Sequence, residues 1–302
     1  MYNFFMFSPD RMQLFEQLPT LEEKWAAVLL KLMASLNITT TRGTEHATEI
    51  LEHLENGSVY AVMVPHRITV DPFLATKVVK RKFVNRTSNR LGWIGSVRFV
   101  DAGHFPSIPD MGLGSQASAG WIKKEKISWF SVVQPHYYYG LLKEEQELAD
   151  ELNRTSTLQA REFLRDLGNI LLVSPEGTRN RKKGIQRGYP GAGTAVLRLK
   201  PSPLIVPIIP NFRQIFPRSD NYFLESLVFG SITIGKPISV EEIKRIAESN
   251  RWSEEAKANG LFRGGLINSE KFNFVDAMML HAIQEGSIDD TGRGVYSCVE
   301  SV

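Results

Sequence analysis

The sequence predicts an α/β fold: a mostly parallel sheet flanked by helices. Short, near-continuous apolar runs of strand length occur at Val59–Val64, Ile170–Val173, Leu204–Ile209 and Ser231–Ile234. Helical apolar periodicity fills the stretches between them. The 302 residues are 42% hydrophobic and 23% charged, a globular balance with ample chain to bury a core, which excludes a disordered or fibrous protein.

Taken in order, Asp10 to Leu36 reads as one or two amphipathic helices, with Leu14, Leu18, Leu21, Trp25, Val28 and Leu32 at mostly helical spacing. Such a stripe packs on a core or lies on a membrane surface, and the aromatics of Met1 to Phe7 keep the second option open. Glu45 to Leu54 is expected as a helix stopping at Asn56-Gly57. Val59 to Val64 reads as a buried parallel strand, followed by a helix over Pro72 to Phe83. A helix over Thr157 to Leu167 precedes the strand Ile170 to Val173, which Pro175 closes. After the strands Leu204–Ile209 and Ser231–Ile234, helices are expected at Glu241–Ser249 and Phe274–Gln284. Gly103 to Arg154 differs, mixing Gly, Ser and Pro with Trp121, Trp129, Phe130 and Tyr137 to Tyr139. It reads as a lid or binding segment, or as a subdomain with its own small core.

Charge and cysteine usage narrow the partners. Lys plus Arg is 36 and Asp plus Glu is 33, so a net charge of +3 gives no argument for nucleic acid. The single cysteine, Cys298, excludes an internal disulfide framework and a Cys-rich zinc site, as expected for a reducing compartment. The longest apolar stretch, Trp25 to Leu36, contains Lys31 and falls short of the roughly 20 residues a spanning helix needs. Met1 to Phe15 has no basic start or cleavage pattern, so no signal peptide is expected.

Two stretches lack carboxylates altogether. Pro72 to Val100 holds seven basic residues, among them Lys77, Lys80 and Arg98; Gly177 to Ser219 holds nine, among them Arg179, Arg181, Lys182 and Lys183. Each is a solvated face or a site for phosphate or anionic lipid. The first follows the strand that ends in Pro65-His66-Arg67-Ile68-Thr69-Val70-Asp71-Pro72. A parallel strand delivers its C-terminal end to the ligand crevice, where a histidine base is useful. Five residues are about 500° around a helix, so His66 and Asp71 meet only if His66 precedes the helix that Asp71 starts. Otherwise Asp71 is a helix cap and His66 a loop residue. The second strand ends in Ser174-Pro175-Glu176-Gly177-Thr178-Arg179, with backbone N–H groups at a turn and an arginine fork suited to phosphate.

Together, a His-x4-Asp after one strand and a Pro-Glu-Gly-Thr-Arg after another resemble the glycerolipid acyltransferases, the bacterial 1-acylglycerol-3-phosphate acyltransferases above all. Val206-Pro207-Ile208-Ile209-Pro210, Ile234-Gly235-Lys236-Pro237-Ile238 and Arg293-Gly294-Val295-Tyr296 are similar to later blocks of that family. The likeness covers roughly residues 37–102 and 155–297. With the helical element read over 1–44, it implies an acyltransferase domain over 45–302 with an insertion at 103–154. It also implies transfer of a fatty acyl group from acyl-CoA or acyl carrier protein to a glycerol hydroxyl of lysophosphatidic acid. His66 would be the general base and Asp71 its orienting partner. Glu176, Gly177, Thr178, Arg179 and Pro207 would bind substrate, with Arg98 or Lys182 helping Arg179 hold phosphate and N–H groups near Gly177 receiving the oxyanion. No metal and no cofactor beyond the acyl donor is implied. The expected setting is cytoplasmic and peripheral on a membrane.

Departures from the family are Pro65, where Asn is usual before the histidine, and Ala102, where the second block carries a phosphate-contacting arginine. They leave open a glycerol-3-phosphate or non-phosphate acceptor, and a non-catalytic lipid-binding protein on the same fold. Gln116 to Gly120 only half resembles a nucleophile elbow, Gly188 to Gly193 reads as a turn, and His46, His53, His104, His136 and His281 lack metal-ligand spacing.

Overall fold

A computed structural model describes residues 28, 38–66, 71–84, 90–99, 104–108, 113–177, 188–214, 227–249 and 270–286. Its centre is one mixed sheet of eight strands. These are β1 (Ile38–Arg42), β2 (Val59–Met63), β3 (Leu91–Ser96), β4 (Ser128–Val132), β5 (Ile170–Val173), β6 (Leu204–Gln214), β7 (Val228–Ile234) and β8 (Ile238–Ser239). The order is β1-β7-β6-β2-β5-β3-β4, with β8 also on β6. From β4 to β6 all neighbours are parallel, whereas β6 meets β7 and β8 antiparallel and β1 is parallel to β7. The fold is therefore α/β with a mostly parallel sheet, as the buried runs predict.

Helices cover both faces. They are α1 (Ala47–Asn56), α2 (Asp71–Val79, continuing into a π turn at Lys80–Val84), α3 (Leu113–Glu125), α4 (Pro135–Tyr138), α5 (Lys143–Arg165), α6 (Pro190–Thr194), α7 (Val240–Glu248) and α8 (Glu270–Gly286). The period of two along a strand divides the core. Val59, Ala61 and Met63 of β2 join Ile170 and Leu172 of β5 in the cluster under α1, α2 and α3. Tyr60, Val62, Leu171 and Val173 face the cluster with α5, α6, α7 and α8. Every residue of β2 and β5 is buried, which is why these strands read as continuous apolar runs.

Several expectations need correction. Residues 38–42, assigned from sequence to the helical element, form β1 and pair with β7. The helix expected at Thr157–Leu167 starts a full fourteen residues earlier, at Lys143. The stretch 103–154 is no long loop: it supplies α3, α4, the first half of α5 and β4, an edge strand of the main sheet. Val97, Phe105, Ile108, Val133, Leu141, Ala149 and Leu152 make a third small core there, so packing explains its aromatic and aliphatic content. Gly188 to Gly193 runs into the helix α6 instead of a turn, because Pro190 at the first helical position needs no N–H partner. The amphipathic stretch at Asp10–Leu36, apart from Val28, lies outside the described residues. Among the described residues no helix is long and apolar enough to cross a membrane.

Candidate functional site

β2 and β5 run side by side, Val62 opposite Val173, so both chain exits leave the sheet at one place. His66 lies three residues past β2, and Asp71 is the first residue of α2. The structure brings them together: His66 Nδ1 is 3.4 Å from Asp71 Oδ2. Asp71 is only 1% exposed, while the imidazole keeps an opening to the outside. With the proton on Nδ1 the ring donates to Asp71, and Nε2 is left with its lone pair.

Glu176 has a different place from the one expected. Its carboxylate is fully buried, accepts the backbone N–H of His66 at 2.6 Å and so fixes the histidine loop, and it is not among the residues that line the cavity beside His66. Gly177 donates its N–H to Ser174 O at 3.0 Å, which closes the turn after β5. That N–H is engaged within the turn, and the N–H groups of the residues that follow it lie outside the described residues. Gly177 has φ of +65°, and a Cβ would stand 2.6 Å from Tyr189 Cδ2. Only glycine meets both demands.

A cavity of about 270 Å³ opens beside the histidine, over the C-terminal ends of β3, β4 and β5. Its walls are mostly apolar, with His66 and Pro72 on one side and Gly95, Ser96 and Val133 opposite. The exit of β5 contributes Ser174 and Gly177, and Tyr189 to Ala192, with the Tyr189 N–H on Pro175 O, complete the lining beside it. α5 presents Asn153, Ser156 and Thr157, which the i, i+3, i+4 spacing places on one face.

These polar side chains are tied to the frame. Asn153 accepts the N–H of Val133 at 2.8 Å and donates to its carbonyl at 3.1 Å. Ser156 Oγ donates to Ser131 O and Thr157 Oγ1 to Asn153 O. Buried Tyr60 donates its hydroxyl to Ala192 O at 2.5 Å and holds up α6 from beneath. Burial, then the nearby Tyr139, raises the Tyr189 phenol above its ordinary pKa, so it stays a donor at neutral pH.

The other expected residues scatter. Arg98 donates from Nη1 to Tyr137 Oη at 2.5 Å and stacks over that ring, outside the cavity lining. Pro207 is buried mid-strand in β6 opposite Val62, and its carbonyl accepts from Gly235, so it contacts the sheet and not the cavity. Thr178, Arg179, Lys182 and Ala102 lie outside the described residues. Sequence reasoning missed Asn153, Ser174 and Tyr189 as parts of the site. Asn153 falls at the end of the Gly103–Arg154 stretch, where no motif marks it, and Tyr189 read only as part of a turn. Ser174 stood inside the second motif but was not weighed.

Among the described residues no group of three or more His, Cys, Asp or Glu could hold a metal ion. The arrangement can accept a proton at His66 Nε2 and hold the resulting charge against Asp71, beside an apolar cavity. Neither models of known protein families nor curated protein sequences match this chain.

Proposed function

We propose that this protein is an O-acyltransferase that moves a fatty acyl group from a thioester to a glycerol hydroxyl, with lysophosphatidic acid as the acceptor and acyl-CoA or acyl carrier protein as the donor. The observation that carries the reading is the His66–Asp71 pair at the mouth of a largely apolar cavity over parallel strand ends. His66 Nε2 takes the proton of the acceptor hydroxyl as its oxygen attacks the thioester carbonyl carbon. Asp71 holds the ring and stabilises the imidazolium. The tetrahedral intermediate collapses, the C–S bond breaks, and the imidazolium returns the proton to the leaving thiolate. One ester forms for one thioester lost.

Glu176 supports this chemistry by fixing the His66 backbone. Acceptor phosphate is assigned to Arg179, with Lys182 in reserve, from the acid-free basic stretch that holds both and the resemblance to the Glu-Gly-Thr-Arg block. A peripheral place on a membrane draws support from Tyr139 and Leu142, exposed by 84% and 68%, just past the Pro135 wall of the cavity. Release of free thiol from acyl-CoA in the presence of lysophosphatidic acid tests the proposal. The wild type turns over, and His66→Ala loses at least about 10²-fold while keeping its fold. A folded His66→Ala protein with near-normal turnover overturns the assignment.

A further inference from the structure

α2 and α3 are joined at the end of the sheet where β3 and β4 begin, opposite the cavity. Lys80, where α2 passes into its π turn, donates from Nζ to Glu125 Oε2 at 2.5 Å and to the Glu125 carbonyl at 3.2 Å, at the close of α3. That bridge uses one cation and one carboxylate, and it brings their neighbours together: Arg81 and Lys82 beside Lys80, Lys124 and Lys126 beside Glu125. Arg81, Lys124 and Lys126 are exposed and Lys82 is half-buried, and among the described residues none of these cations is in an ion pair. Glu52 and Glu55 of the adjoining α1 leave them unpaired as well. A cation near one helix C-terminus complements that helix's dipole; two ends bridged side by side concentrate positive charge beyond it, in a field that attracts a polyanion. Nine residues of α2 separate Lys80 from Asp71, a rise of about 14 Å, so the cations cannot touch the reacting atoms.

We propose that Arg81, Lys82, Lys124 and Lys126 are the docking surface for an acyl carrier protein, whose acidic face they complement. This rests on the acyl-transfer reading above and selects the protein-borne donor from the two named there. In that reading the lipid acceptor arrives at the exposed Tyr139–Leu142 rim, past the exit of β4 at the cavity end and away from these cations. The donor differs, because its thioester hangs on a long pantetheine arm. Its anionic carrier can be held at a distance while the reacting carbon reaches His66. Exposed cations spread over two helices match the face of a folded protein, and complementary charge there speeds encounter and fixes orientation.

The test replaces the four cations with Gln, leaving Lys80 and Glu125 in place. Calorimetry at low salt measures binding of acyl carrier protein to the full chain, beside thiol release from acylated carrier protein and from acyl-CoA. Binding should weaken at least about tenfold, the scale for several exposed ion pairs lost together, and wild-type binding should weaken as salt rises. KM for the acylated carrier protein should rise in step, with kcat and Tm level and acyl-CoA turnover changed less than about twofold. Unchanged carrier-protein binding overturns the inference. So does a defect that falls on acyl-CoA instead, which would give the cations to the nucleotide of coenzyme A. A loss confined to flotation with anionic vesicles overturns it too, and would make the patch a membrane contact. The two readings fail separately. Carrier protein bound through the patch by a chain that turns over no thioester sinks acyl transfer and leaves the dock, whereas thiol release without patch-dependent binding sinks only the dock.

Discussion

Gly177→Ala should damage the protein in two separable ways. The first is backbone: at φ of +65° an L side chain costs about 1–2 kcal/mol. The second is steric. The new Cβ would lie 2.6 Å and 2.8 Å from Cδ2 and Cε2 of the Tyr189 ring, and a ring edge cannot yield without moving the whole side chain. Overpacking of that kind adds about 1–3 kcal/mol, for a total of about 2–5 kcal/mol. Urea unfolding measures the sum, and a double-mutant cycle with Tyr189→Ala separates the parts. In the Tyr189→Ala background the steric part should vanish, leaving only the backbone part. Because Tyr189 walls the cavity, thiol release should fall in the single variant as well. A Gly177→Ala protein within about 0.5 kcal/mol of wild type would refute the reasoning, as would full additivity in the cycle.

Asp71→Asn should reduce kcat by about 10²–10⁴-fold with the fold intact, since the amide can favour the wrong histidine tautomer; unchanged kcat in the thiol-release assay would count against the pair. Tyr60→Phe strands the buried carbonyl of Ala192 and should cost about 1–3 kcal/mol in urea unfolding, with no loss expected if that bond were idle. Burial works against the charge on Glu145, but hydrogen bonds from Ser107 and the N–H of Leu142 outweigh it and hold the carboxyl below its ordinary pKa. A depressed folded pKa gives stability that is present above the ordinary carboxylate range and lost as pH falls through the folded value. Glu145→Gln should therefore flatten the acid limb of the stability–pH curve, and an unchanged limb would show the carboxylate to be irrelevant there.

What the sequence made legible were the features whose cause is local. β2 and β5 announce themselves because both faces are buried, so each position is apolar. β3 escaped notice because Gly92 and Gly95 interrupt it, and their reason is tertiary. A Cβ at Gly92 would strike Phe163, Leu171 and Phe130, and one at Gly95 would strike the Trp129 indole. β4 and β1 are edge strands, short and rich in Ser or Thr, so no continuous apolar run marks them. In the site, the spacing of His66 and Asp71 was readable because a loop and a helix start fix it. The bond from His66 to Glu176 crosses 110 residues, and only the β2–β5 pairing creates it. Asn153 was invisible for the same reason: what it holds is the exit of a strand unseen in the sequence.

The helix α5 carries a consequence for how this protein can vary. Its 23 residues run unbroken from the Glu145 corner, past the cavity, to Phe163 and Leu164 in the core. Each residue added or removed between those anchors would turn everything beyond it by about 100°. Asn153, Ser156 and Thr157 would then leave the cavity wall, or Phe163 and Leu164 would leave the core. Substitutions on the outer face, such as at Glu151 or Arg154, disturb neither anchor. Descendants of this chain are thus free to drift in letters along α5 but not in length, and a single-residue deletion there should be purged where dozens of exchanges survive.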